Sequence, residues 1–225
     1  MRLFVAIVPP PAVTAELDGQ LAGPRADWPA LRWTRQPDWH VTLAFLGEVP
    51  EPVLPPLITR LERAARRHQP QELAVHGVGT FPGVARAQVL WAGIRAAQAP
   101  WADSAPGGQT GQPPRAALGP PGRVGGGSAG QAGGLASLSA LAASVAAGAR
   151  RAGAPPPDAS RRYRPHITLA RLSRPADLRA LAAALSGLTS LGWTAADIEL
   201  IRSHPPAPIA GARPTYETLA RCPLG

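Results

Sequence analysis

The sequence predicts a mixed fold of interleaved strands and helices, built from a duplicated unit whose halves meet across a cleft. Three observations point there. Residues 40–46, His-Val-Thr-Leu-Ala-Phe-Leu, recur at 166–172 as His-Ile-Thr-Leu-Ala-Arg-Leu, with five of seven positions identical. Each copy reads as a strand followed within about ten residues by an amphipathic helix. The 225 residues suffice for one large domain or two small lobes, and no Gly-rich phosphate loop stands between a strand and a helix.

Arg2-Leu-Phe-Val-Ala-Ile-Val reads as a buried strand stopped by Pro9, Pro10 and Pro11. A helix presenting Val13, Leu17 and Leu21 follows. The strand at 40–46 is ended by Gly47. A helix over about 52–68 aligns Val53, Leu54, Leu57, Ile58 and Leu61. Residues 72–79 and 87–95 are strands paired through the Phe81-Pro82-Gly83 turn. Residues 99–134 hold 6 Pro and 11 Gly with no apolar period, so they are expected to be a disordered low-complexity insertion. A helix over 135–151 presents Leu135, Leu138, Leu141 and Val145. A strand at 163–172, a helix at 175–186 with Leu178, Leu181 and Leu185 inward, and closing strands at 196–202 and 215–221 complete a single domain.

Charge is unevenly placed. All 23 basic residues are Arg, and 11 of them lie in residues 150–225 against 5 acids there. A basic C-terminal third favours an anionic partner. Arg150, Arg151, Arg161, Arg162 and Arg164 are either an RNA-attracting cluster or a solvated helix end. One cysteine, Cys222, excludes an intramolecular disulfide framework and any Cys-based zinc site. The apolar start is too short for a signal peptide, and no apolar run approaches the roughly 20 residues of a membrane span. A soluble, cytoplasmic monomer is expected.

Period-2 alternation places His40, Thr42 and Ala44 on one face and Val41, Leu43 and Phe45 on the other. His166, Thr168 and Ala170 likewise oppose Ile167 and Leu169. Each strand then has an apolar packing face and a face carrying an imidazole, a hydroxyl and a small residue. Imidazole is matched to proton transfer near neutral pH, and two opposed imidazoles form an acid–base pair. Threonine hydroxyls can donate to the oxygens of a tetrahedral anion. Two half-sites suit in-line displacement at phosphorus. Without an acidic cluster, neither a metal nor a cofactor is expected. His68 reads as a solvated helix end, His76 as a locally satisfied strand residue, and His204 as a loop residue beside Pro205.

These paired motifs resemble the two-histidine phosphoesterase superfamily, and within it the RNA 2′,3′-cyclic phosphodiesterases, historically called 2′-5′ RNA ligases. The resemblance rests on Arg2-Leu-Phe-Val-Ala-Ile7, His40 to Glu48, Phe81-Pro82 before a strand with Trp91, and Tyr163 to Arg171. It implies a bilobal α+β fold of two antiparallel sheets with outer helices forming a V-shaped cleft. It also implies metal-independent opening of a 2′,3′-cyclic phosphate to a 2′-phosphate, on RNA ends or small cyclic nucleotides. His40 would be the proton donor and His166 the acceptor, with Thr42, Thr168 and Arg171 on the phosphate. Cleavage of 2′-5′ linkages, RNA ligation, and a non-catalytic nucleotide- or RNA-binding module are the other readings. Simple alternation turns Arg171 away from His166, so it reaches the cleft only if the strand ends or bulges near Ala170. Phe4, Trp39 and Tyr163 are candidate base-stacking groups.

Overall fold

A continuous apolar run at the start of the chain sets the first strand. The computed structural model describes residues 1–97, 129–154, 163–207 and 213–225. In chain order the elements are β1 (Arg2–Ile7), α1 (Pro11–Asp27), β2 (Arg32–Trp33), β3 (Val41–Glu48) and α2 (Leu54–Ala65). There follow β4 (Gln71–Phe81), β5 (Ala87–Ala96), α3 (Ala129–Arg151), β6 (His166–Ala176) and α4 (Arg179–Ala184). The chain closes with β7 (Trp193–Ala195), β8 (Asp197–His204) and β9 (Thr215–Pro223).

The strands are ordered β7-β4-β5-β6-β3-β1-β8-β9, all antiparallel, with β2 pairing β6 beside β3. The two repeats lie side by side at the middle. β3 and β6 meet through a single pair, Val41 with Ile167. These two residues occupy the same position in the repeat, so the antiparallel pair carries a local pseudo-two-fold axis. The two expected sheets are therefore β6-β5-β4-β7 and β3-β1-β8-β9, hinged at one bridge.

Burial follows strand parity. Leu3, Val5 and Ile7 of β1 enter the main core, with Leu57 and Leu61 of α2 and Leu138, Leu141 and Val145 of α3. Each such leucine or valine contributes about 1.5–3 kcal/mol by leaving water. Phe4 and Ala6 face the opposite way and form a separate small cluster with Ile201. That second face is the cleft.

Three expectations change at the edges. Helix α3 begins at Ala129, so positions 129–134 of the expected insertion are helical. Extending an anchored helix adds one bond per residue without a new nucleus. The rest of that insertion, like Leu135, lies outside the described residues and side chains. Helix α4 is shorter than expected because β6 stays paired as far as Ala176, opposite Ala87. Its inward leucines are as expected, with Leu178, Leu181 and Leu185 all buried. Gly47 does not end β3 but lies inside it at φ +70°, a conformation glycine adopts without penalty.

The remaining difference concerns the repeat itself. Val5 pairs Ala44 while Ala6 pairs Thr42, so Leu43 is an extra residue in β3. Leu90 pairs Ala170 while Trp91 pairs Thr168, so Leu169 is an extra residue in β6. Both copies thus bulge at the same place, and a bulge shifts the parity of everything after it. Phe45, expected in the core, is 46% exposed, while Ala44, expected toward the cleft, is buried.

Candidate active site

The bulges decide which side chains share the cleft. His166 and Thr168 precede the Leu169 bulge, and Arg171 follows it, so Arg171 returns to the face of His166 and Thr168. Its guanidinium lies close enough to push the pKa of both His166 and His40 down. The structure thus brings together His40, Thr42, His166, Thr168 and Arg171. The Val41–Ile167 pair sets the two motifs side by side, with His40 and Thr42 flanking it in one half and His166 and Thr168 in the other.

Both rings are held alike. His40 Nδ1 lies 2.8 Å from the carbonyl of Asp38, and His166 Nδ1 lies 2.6 Å from the carbonyl of Arg164. A carbonyl only accepts, so Nδ1 carries the hydrogen in each ring. The neutral imidazole then has its lone pair on Nε2. The first anchor is built by a short helical turn, Gln36–Asp38, in which Arg35 clamps the Asp38 carboxylate at 2.8 and 3.2 Å. Trp39, a stacking candidate, is instead buried in the core at 2% exposure and fixes the entry into β3.

The surroundings differ. The His40 ring centroid is 4.7 Å from Phe4 and 5.4 Å from Tyr216. The His166 centroid is 5.2 Å from Phe81 and 5.8 Å from Trp91. Burial is the main reason His40 falls to about 4, with His166 and Arg171 adding repulsion. Burial also lowers His166, again with Arg171. Burial and Arg171 therefore oppose positive charge on either ring, and an anion between them would favour it.

Tyr216 carries no periodic signal, and its register against Ser203 shows only once β8 and β9 pair. The Phe81–Trp91 arrangement needs Gly79, because a Cβ there would meet the Trp91 ring at 2.1 Å. Tyr163 packs half-buried against the core. His68 is not a solvated helix end, since its Nε2 lies 2.8 Å from Ser144 Oγ and ties the end of α2 to α3. His76 is an exposed residue of β4, while His204 ends β8 and pairs with Glu217 at 2.9 Å. Arg150 and Arg151 end α3 as exposed groups, Arg164 is exposed, and Arg161 and Arg162 lie outside the described residues. Among the described residues, no group of three or more His, Cys, Asp or Glu could hold a metal ion. Among the same residues, no helix is long and apolar enough to cross a membrane.

Comparison with known proteins agrees with this geometry. Residues 8–91, which contain His40, match the LigT-like phosphoesterase family. Residues 112–206, which contain His166, match the 2′-5′ RNA ligase superfamily. Two relatives named RNA 2′,3′-cyclic phosphodiesterase are similar over shorter stretches. One, from Geobacillus stearothermophilus, is 36% identical over 67 residues, 30% of this chain and 21% of the relative. The other, from Archaeoglobus fulgidus, is 35% identical over 104 residues, 42% of this chain and 52% of the relative. The matched stretches thus span between a fifth and about half of those relatives' lengths. A crystal structure from Thermus thermophilus aligns over 100% of this chain and 98% of its own, with TM-score 0.65 and 26% identity. Escherichia coli LigT complexed with 3′-AMP shares the fold at TM-score 0.59 and 24% identity, over 99% of this chain and 97% of that one.

Proposed function

We propose that the chain is a LigT-like phosphoesterase of the 2′-5′ RNA ligase superfamily and that it opens RNA 2′,3′-cyclic phosphate ends to 2′-phosphates. The observation that carries this reading is the pseudo-two-fold pair at Val41 and Ile167, which sets two Nε2-free imidazoles on one cleft face. His166 Nε2 takes a proton from water as the water oxygen bonds to phosphorus. The bond from phosphorus to the 3′ oxygen breaks, and His40 Nε2–H protonates that oxygen. The product is a 2′-phosphate with a free 3′ hydroxyl, and atoms and charge balance without a further reactant.

Thr42 and Thr168 hold the non-bridging oxygens by O–H donation, and Arg171 neutralises their charge. Substrate binding also prepares the acid. Burial keeps His40 poorly protonated, and the incoming phosphate anion raises its pKa toward the working range. The reaction runs without metal in this reading.

The test is hydrolysis of an RNA with a terminal 2′,3′-cyclic phosphate in EDTA, with 2′- and 3′-phosphate products resolved. Exclusive 2′-phosphate is expected. A 3′-phosphate would reverse the leaving oxygen and the roles of the two histidines. Turnover only after metal addition would remove the acid–base mechanism. The match of residues 112–206 to 2′-5′ RNA ligases favours one second reading, action of the same pair on 2′-5′ linkages. A 2′-5′-linked dinucleotide tests it in the same assay.

A further inference from the structure

Arg32 and Arg171 are direct partners across the β2–β6 ladder. Residues directly opposite in an antiparallel pair share a face, with Cβ atoms about 4.5–5.5 Å apart, and like charges there are destabilising. The next pair, Trp33 with Ala170, turns into the core, so Arg32 shares the cleft face with Arg171. Both arginines are exposed. A third cation joins them, because Arg213 donates from Nη1 to the Trp33 carbonyl, one residue from Arg32. Among the described residues, Asp38 pairs with Arg35, Glu217 with His204 and Arg202, and Glu199 with Arg221.

Arg171 lies five residues along the chain from His166, and β2 pairs β6 at Arg171 and Ala170, so Arg32 sits farther along the strand than the imidazole. A repulsive pair at that place becomes favourable when anionic oxygens lie between its members.

We propose that Arg32, opposite Arg171 on the β2–β6 ladder, binds a second phosphate, that of the phosphodiester preceding the terminal nucleotide, so that the cleft selects an RNA chain over a mononucleotide. The proposal rests on the reading of the cleft as an RNA-end phosphodiesterase. Arg213 supplies further positive charge at the same strand edge.

The experiment compares kcat/KM of wild type, Arg32→Gln and the control Arg63→Gln, which removes an exposed charge from α2. The substrates are 2′,3′-cyclic AMP and a five-nucleotide RNA ending in a 2′,3′-cyclic phosphate. Arg32→Gln is expected to lose about tenfold more on the RNA than on the mononucleotide, an increment typical of one charge-assisted hydrogen bond. Its salt slope for RNA binding should fall by about 0.7, the value for one phosphate contact on a single strand. Equal losses on both substrates, or an equal loss in Arg63→Gln, would overturn the subsite. Fluorescence anisotropy with a 2′-phosphate-ended RNA, competed by 2′-AMP, reads the subsite without turnover. If wild type hydrolyses neither substrate but Arg32→Gln still loses RNA binding selectively, the hydrolase reading fails and the subsite stands. Equal RNA binding by both proteins removes the subsite.

Discussion

His40 and His166 both donate from Nδ1 to the carbonyl two residues earlier, and both precede a bulge at the fourth position of the repeat. Their walls nevertheless differ. In the row beside Thr42 stand Ala6 and Glu199; in the row beside Thr168 stand Trp91 and Gly79. Glu199 is 4% exposed and accepts from Thr218 at 2.7 Å while pairing with Arg221 at 3.1 Å. One half is lined by a buried carboxylate paired with an exposed arginine, and the other by an indole lying over a glycine. The comparison teaches that the duplicated backbone fixes where the imidazoles point, while the neighbouring strands set how each titrates.

The strongest way to break the comparison is to ask whether the two rings are interchangeable. Replacing either His40 or His166 by Ala should lower turnover of a cyclic-phosphate RNA by about 10²–10⁴-fold, the range for one general acid or base. The roles separate with a substrate whose 3′ bridging oxygen is replaced by sulfur, because a thiolate leaves without a proton. His40→Ala should recover most of its loss there, and His166→Ala should not. Recovery by both variants, or by His166→Ala alone, would reverse or abolish the assigned asymmetry.

The position after the bulge sharpens the comparison further. It holds Arg171 in one half and Phe45 in the other, with the Arg2 guanidinium 5.0 Å above the Phe45 ring. Arg171→Gln should cost about 10–100-fold in kcat/KM, equivalent to one charged hydrogen bond of roughly 1.5–3 kcal/mol. Phe45→Ala should cost less. A larger loss from Phe45 would place the phosphate in the other half.

These two positions also show how far sequence reaches. The repeat, both His-x-Thr faces and every long helix were legible, because period and identity are local properties. The inward set of Leu178, Leu181 and Leu185 followed from helical spacing even though the helix proved short. Phe45 was misplaced because alternation counts residues, and one inserted residue inverts the count. The matching extra residue in β6, Leu169, brought Arg171 to the cleft, one of the two ways the alternation left open. β2 and β7, two and three residues long, are too short to show a period, so the Arg32–Arg171 pair was invisible. Tyr216 reached His40 through pairings with partners distant in sequence, which one strand does not encode.

A smaller effect is expected from the packing difference. Gly79→Ala would drive a methyl into the Trp91 ring, which itself packs against His166. Overpacking of this kind costs about 1–3 kcal/mol. Urea unfolding should show that loss together with reduced turnover, while His40 and its neighbours keep their geometry. No change in stability would mean that Trp91 has room to move and does not support His166.

The smallest effect is a difference in acid sensitivity between the halves. In the unfolded chain a histidine titrates near 6.5. Folded His40 titrates at about 4, chiefly because burial disfavours its charge. Between those values the unfolded chain binds a proton that the folded chain refuses. Stability therefore falls as pH drops through this window and is unaffected by His40 above it. The full depression corresponds to about 3 kcal/mol at pH values below both constants, an order-of-magnitude figure. His166 is lowered in the same direction, and its contribution carries the same sign. His40→Asn should flatten the fall between pH 6.5 and 4 more than His166→Asn does, as read by urea unfolding across that range. Inorganic phosphate should protect the wild type most at the acid end, because it binds the protonated cleft and stabilises only the folded chain. If the two variants flatten the curve equally, the walls do not distinguish the rings. The difference in mechanism would then have to come from the substrate alone.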